Sequence, residues 1–172
     1  MIVSLTGFMG CGKTSIGREL AGILGWRRVD LDALVEQREG RSIREIFSSG
    51  GEAAFREAES RALRSVLDES ENIVLSLGGG TILDPANAAL ISSKTTCIYL
   101  EASPSKLAEW LEGSTGRPLL SHPDSISLAD HVSALLSSRE ERYLSVARHT
   151  INTDRLTFQE AAHIISVMIR TA

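Results

Sequence analysis

The chain has 172 residues, 42% hydrophobic and 23% charged, with a net charge of −4, which suits one globular domain with a substantial core. The acidic balance argues against a general nucleic-acid or anionic-membrane surface, and no apolar run nears the roughly 18 residues of a membrane span. Two distant cysteines, Cys11 and Cys97, and four scattered histidines offer neither a disulfide framework nor metal-ligand spacing.

Residues 2–5 read as a short buried strand beginning beside Met1, so no leader is expected and a cytoplasmic protein is the default. The segment GFMGCGKT follows, matching G-x-x-x-x-G-K-[ST] between a predicted strand and a predicted helix over 13–24, the context that this motif requires. Glycines let successive N–H groups turn inward and leave room for a phosphate to approach, and the helix opening at Lys13 adds its positive end. The loop predicts nucleotide binding by Gly10, Cys11, Gly12, Lys13, Thr14 and Ser15. Lys13, one of three lysines among eighteen basic residues, would bridge the outer phosphates. Thr14 would ligate magnesium.

A second strand near 28–30 carries Val29-Asp30-Leu31-Asp32. Residues two apart in extended backbone face the same way, so both carboxylates can reach one cleft. Asp30 would assist magnesium, and Asp32 would accept a hydrogen bond from a substrate hydroxyl as base or orienter; the plainer reading makes Asp32 a cap for the next helix. A helix ends near Gly40, Ser42-Ile-Arg-Glu45 is a capping box for another, and Gly50-Gly51 interrupts it before a helical stretch over 52–68. Arg56 lies on the edge of that stretch's apolar side, either facing a cleft or serving an internal ion pair.

A third strand over 73–77 closes on Gly78, Gly79 and Gly80, where bare backbone would admit a ligand closely. Asp84-Pro85 and Ser103-Pro104 open the next two helices, flanking a fourth strand over 96–100. Residues 113–127 have loop composition and carry Arg117, which a mobile loop could deliver to a phosphoryl group in transfer. One helix is expected over 128–148, with Arg139 on the stripe Val132, Leu135, Leu136, Tyr143 and Val146. A buried charge must be paired or face a polar cleft, and both options stand. A fifth strand near 150–153 and a helix capped by Thr157 complete an α/β pattern of five strands, a mostly parallel sheet covered by helices on both faces.

GFMGCGKTSIGREL, VDLDALVEQREGRSIREIF, GGEAAFREAE, VLSLGGGT, GRPLL and REERY together make the chain similar, over essentially its full length, to shikimate kinases of the bacterial P-loop type. The second and third stretches have no part in generic nucleotide binding, which makes the match specific. The resemblance implies a single three-layer α/β/α domain with a five-stranded parallel sheet of the nucleoside-monophosphate-kinase type and a lid at about 113–124. It implies transfer of a phosphoryl group from ATP, with one magnesium ion, to the 3-hydroxyl of shikimate by a cytoplasmic monomer. Asp32, Arg56, Gly78 to Gly80 and Arg139 would hold the acceptor, both arginines on its carboxylate. Lys13 and Arg117 would attend the phosphates; Thr14 and Asp30 would serve the metal. Where many members place an arginine against adenine, this chain has Trp110, which would stack on the base or pack in the core; Arg155 is the other candidate for that contact. A gluconate or nucleoside monophosphate kinase, or a nucleotide-binding regulator without catalysis, are the competing readings.

Overall fold

The computed structural model describes residues 1–112 and 127–170. Five parallel strands, β1 (Ile2–Thr6), β2 (Arg27–Asp30), β3 (Ile73–Ser76), β4 (Thr96–Glu101) and β5 (His149–Asn152), form one sheet in the order β2-β3-β1-β4-β5. All five residues of β1 and all four of β3 are buried, as expected for central strands of a sheet covered on both faces. The edge strands β2 and β5 each bury one residue.

Helix α1 (Lys13–Leu24) links β1 to β2, whereas α4 (Pro85–Lys94) links β3 to β4 in the opposite direction across the sheet. Right-handed crossovers therefore put α1 and α4 on opposite faces. The last helix, α8 (Phe158–Arg170), joins α1 on its face. Close approach of α1 to the sheet depends on Gly17: a Cβ there would stand 2.6 Å from Ser76 Oγ and 3.4 Å from Leu5. The reversal of winding leaves a crevice at the carboxyl ends of the adjacent strands β1 and β3, and both strands run into glycine turns there.

Helix α2 (Leu31–Glu39) starts directly after β2, and α3 (Ile43–Leu67) opens on the predicted capping box of Ser42 and Glu45. Gly51, at φ 72° and ψ −173°, bends α3 where the sequence predicts a break. Pro104–Leu111 form α5. The single helix expected over 128–148 is two: α6 (Leu128–Ser137) and α7 (Glu140–Val146). Arg139, at φ −120° and ψ −20°, stands at the break as the N-cap of α7. Its N–H bonds Leu136 O at 2.9 Å and its carbonyl accepts from Tyr143 N–H at 3.1 Å, so the two helices stay nearly in phase and the apolar spacing runs unbroken through the joint. None of the described helices is long and apolar enough to cross a membrane.

Candidate active site

The turn after β1 uses glycine where nothing else fits. Gly7, Gly10 and Gly12 have φ of 145°, 83° and 90°. A Cβ on Gly7 would lie 2.6 Å from the Leu100 carbonyl oxygen; one on Gly10 would strike Leu111, and one on Gly12 would strike Phe158. Gly7→Ala is therefore expected to destabilise the protein by at least about 2 kcal/mol, lowering the melting temperature by roughly 4–8 °C in a calorimetric scan. Lys13 folds over this turn, its ammonium donating to the carbonyls of Gly7 and Phe8 at 2.8 Å each. Ser76, at the end of β3, donates to the Lys13 carbonyl at 3.0 Å and fixes the first turn of α1 to the sheet. Cys11 is buried beneath the turn, its sulfur 3.8 Å from Lys13 Nζ.

Asp30 and Asp32 divide the work differently from a shared strand face. The strand ends at Asp30, whose Oδ1 accepts the N–H of Ala33 at 3.3 Å and caps α2. Its other oxygen accepts the Thr14 hydroxyl at 2.7 Å. Asp32 lies in the first turn of α2 and is free of that duty. Burial, reinforced by Glu59 and Asp30 and opposed by Lys13 and Arg56, raises its carboxyl from 3.8 to about 6.

Across from Asp32, Glu59 is fully buried. One of its oxygens accepts the Thr81 hydroxyl at 2.5 Å and the other accepts Arg56 Nη1 at 2.9 Å. Arg56 also bridges to Glu52 at 3.1 Å, and its guanidinium lies over the Phe55 ring, 5.1 Å from the centroid. A Cβ at Gly78 would come within 2.6 Å of Glu59 and 2.9 Å of Asp32, and one at Gly80 within 2.5 Å of Arg56. The glycine turn after β3 is thus the surface on which these charged groups converge. It also touches the first turn, since a Cβ at Gly79 would sit 3.3 Å from Met9 N. The N–H groups of Gly78, Gly79 and Gly80 find no hydrogen-bond acceptor among the described residues.

Arg139 is only 8% exposed. Its guanidinium stands 5.9 Å over the Phe8 ring, and its Nη1 is buried with no hydrogen-bond partner among the described residues. A buried guanidinium nitrogen with an open donor calls for an anion.

A cleft of about 730 Å³ joins these groups. Gly10, Gly12, Lys13, Thr14 and Ser15 of the first turn and α1 line it together with Asp30, Asp32, Arg56, Glu59, Gly78 to Gly80 and Arg139. Trp110, 38% exposed, and Phe158 also face the cleft. Cys11 and Arg155 do not: the cysteine lies under the turn, and Arg155 is exposed outside. Arg117 and the proposed lid lie outside the described residues. For Arg56 the two open readings hold together, since it is ion-paired and still lines the cleft. Glu59 carries no sequence signal of its own: within FREAE it looks like one more helical surface charge. Its apolar neighbours Phe55, Ala58 and Ala62 were the available hint that this side of α3 is buried.

Residues 9–169 match the family model described as shikimate kinase. The chain is 41% identical over 159 residues to a shikimate kinase of Chlorobium phaeovibrioides, spanning 90% of this chain and 80% of that one. It is 35% identical over 167 residues to a shikimate kinase of Francisella tularensis subsp. novicida, spanning 97% and 93% of the two chains. Among solved structures, shikimate kinase from Acinetobacter baumannii in complex with shikimate superposes with a TM-score of 0.92 at 30% identity, covering 99% of this chain and 93% of that one.

Proposed function

The chain belongs to the shikimate kinase family, and on that premise we propose how its cleft divides the transfer of a phosphoryl group from ATP to shikimate. The observation that carries the reading is one cavity lined by two unlike sets of residues. One is a glycine-rich loop with its lysine; the other is two arginines beside a carboxyl of raised affinity for protons.

The triphosphate lies along Gly10 to Ser15, with Lys13 turning from the loop carbonyls to the outer phosphates. Arg56 and Arg139 take the carboxylate of shikimate, the open donor of Arg139 Nη1 being satisfied by it. The glycine turn at 78–80 supplies a close-fitting wall. Asp32 then faces the 3-hydroxyl. As that oxygen attacks the γ-phosphorus, the bond from phosphorus to the β-bridging oxygen breaks, ADP departs, and the hydroxyl proton passes to the Asp32 carboxylate. Lys13 counters the charge spread over the transferring group, and Arg117 joins it on sequence grounds. Trp110 and Phe158, aromatic residues that line the cleft with the phosphate loop, offer faces for the adenine; Arg155, exposed outside the cleft, is disfavoured for that contact.

A P-loop kinase uses a divalent cation. The oxygen pair of Thr14 and Asp30, 2.7 Å apart, fits magnesium, which commonly takes one or two protein oxygens and completes its shell with phosphates and water. When bound there it would screen charge between the terminal phosphates. The enzyme works as a cytoplasmic monomer of one domain on small molecules, without nucleic acid or membrane, a reading supported by its net charge of −4 and the shared sheet of all five strands.

Release of ADP from magnesium-ATP is expected with shikimate and not with gluconate or AMP; equal, negligible rates with all three acceptors would end the assignment. Arg139→Ala is expected to raise the KM for shikimate by about 10- to 100-fold, the value of a charge-assisted hydrogen bond or two. Its KM for ATP should hardly move, and a large rise there would mean the arginine serves the nucleotide.

A further inference from the structure

Helix α7 carries two groups on one side, Arg139 at its N-cap and Tyr143 one turn on. Tyr143 is fully buried and its hydroxyl donates to the Gly79 carbonyl at 2.6 Å. It does not line the cleft itself. Its ring stacks on Tyr99, centroids 5.2 Å apart and planes 16° from parallel, so packing fixes the ring and the ring fixes the hydroxyl. Burial pushes the phenol above its ordinary range, against the opposing pull of the nearby Arg139 guanidinium. The oxygen therefore stays protonated and remains a donor throughout the working pH range.

The peptide it holds is the one that matters. The bond between Gly79 and Gly80 is trans, so its carbonyl and its N–H point to opposite edges. Securing Gly79 O against α7 sends the Gly80 N–H the other way, from a residue that lines the cleft and whose N–H has no acceptor among the described residues. Glycine places no steric limit on this plane, so an outside tie has to set it. The same tie clamps α7 to the glycine turn. Arg139 makes no ion pair among the described residues; its guanidinium lies in hydrogen-bonding reach of the Tyr143 hydroxyl, its Nη1 is unpartnered, and its place depends on where α7 docks.

We propose that Tyr143 is a positioning residue for acceptor binding: its buried hydroxyl, held between the Gly79 carbonyl and the Arg139 guanidinium, orients the Gly79–Gly80 peptide toward the acceptor and sets the span between that turn and Arg139. The inference rests on the reading of this end of the cleft as the shikimate subsite. It adds a residue that never touches substrate.

The test is Tyr143→Phe, which keeps the ring and removes the hydroxyl, beside Tyr99→Phe, which removes the stacked neighbour's hydroxyl, buried with no hydrogen-bond partner among the described residues. Shikimate KM and the shikimate dissociation constant from titration calorimetry are expected to rise about tenfold in Tyr143→Phe. ATP KM should stay within about twofold, and Tyr99→Phe should match the parent in both. A shikimate constant within twofold of the parent would overturn the proposal. So would equal rises for shikimate and ATP, or equal effects of the two substitutions, each of which would mark Tyr143 as ordinary core. If Tyr143→Phe does not fold, 4-aminophenylalanine at position 143 keeps a donor, and a shikimate constant unlike the parent's would then count against the tie. Absence of shikimate-dependent ADP release in the unaltered protein would bring down the acceptor assignment itself, a failure distinguished by the protein that shows it.

Discussion

Asp32→Asn is expected to lower kcat by about 10²- to 10⁴-fold, the usual worth of a positioned general base, while leaving ATP affinity within a few-fold of the parent. An amide keeps the shape and a hydrogen-bond acceptor but cannot take the proton. The raised carboxyl, near 6 because of burial first and the neighbouring carboxylates Glu59 and Asp30 second, predicts the pH dependence. The carboxylate form is the active one, so kcat/KM for shikimate should climb as pH rises through about 6 and level above it, and Asp32→Asn should lose that limb. Stability should move the opposite way. The folded protein binds this proton more tightly than the unfolded chain, so the stabilisation is complete below about 3.8 and disappears as pH rises through about 6. At pH 8 the ionised, buried carboxylate opposes folding, and Asp32→Asn should be more stable than the parent by on the order of 1–3 kcal/mol. Thermal scans should show that gain at pH 8 and its shrinkage toward pH 4. A variant that keeps full activity, or one that loses stability at pH 8, would remove Asp32 from the role of proton acceptor.

Lys13→Met should cost roughly 10²–10³ in kcat, the scale for removing one preorganised charge from a transition state, and should raise the KM for ATP. Methionine matches the apolar stem of the side chain but lacks the ammonium and cannot donate to the carbonyls of Gly7 and Phe8, both of which Lys13 holds at 2.8 Å. Part of the effect would then come from a loosened turn, and a melting-temperature measurement separates the parts. A drop in activity accompanied by near-parental stability and unchanged shikimate binding would assign the loss to the phosphates. Activity within tenfold of the parent would reduce the lysine to a clasp for the loop.

The phosphate loop and the capped helices were legible in the sequence because each is encoded within a few residues, and the alternation of strands and helices announced a parallel sheet. Glycine spacing dictates the first turn, and Ser42, Asp84 and Ser103 announce their helices through side-chain bonds made locally. What escaped lay at the boundaries of elements or was set by distant parts of the chain. Asp30 and Asp32 looked like strand neighbours, but β2 ends at Asp30 and the helix begins one residue later, so one carboxylate caps while the other is left free. The break at Arg139 was invisible because the stripe from Val132 to Val146 keeps its period through it. Glu59 became a site residue only where Arg56, Thr81 and Gly78, three separate places in the sequence, close around it.

The bend at Gly51 has a practical consequence for redesign. Ile43, Arg44 and Phe47 before it and Phe55, Arg56 and Glu59 after it all border the cleft, so the angle between two halves of one helix determines how wide an acid can enter. No Cβ would collide there, yet φ is 72°, which makes the angle a property of backbone permission and not of crowding. Laboratory evolution toward bulkier carboxylated alcohols would therefore find size at this hinge, and because the half-helix after the bend carries Arg56, any change of width would also move a group that recognises charge.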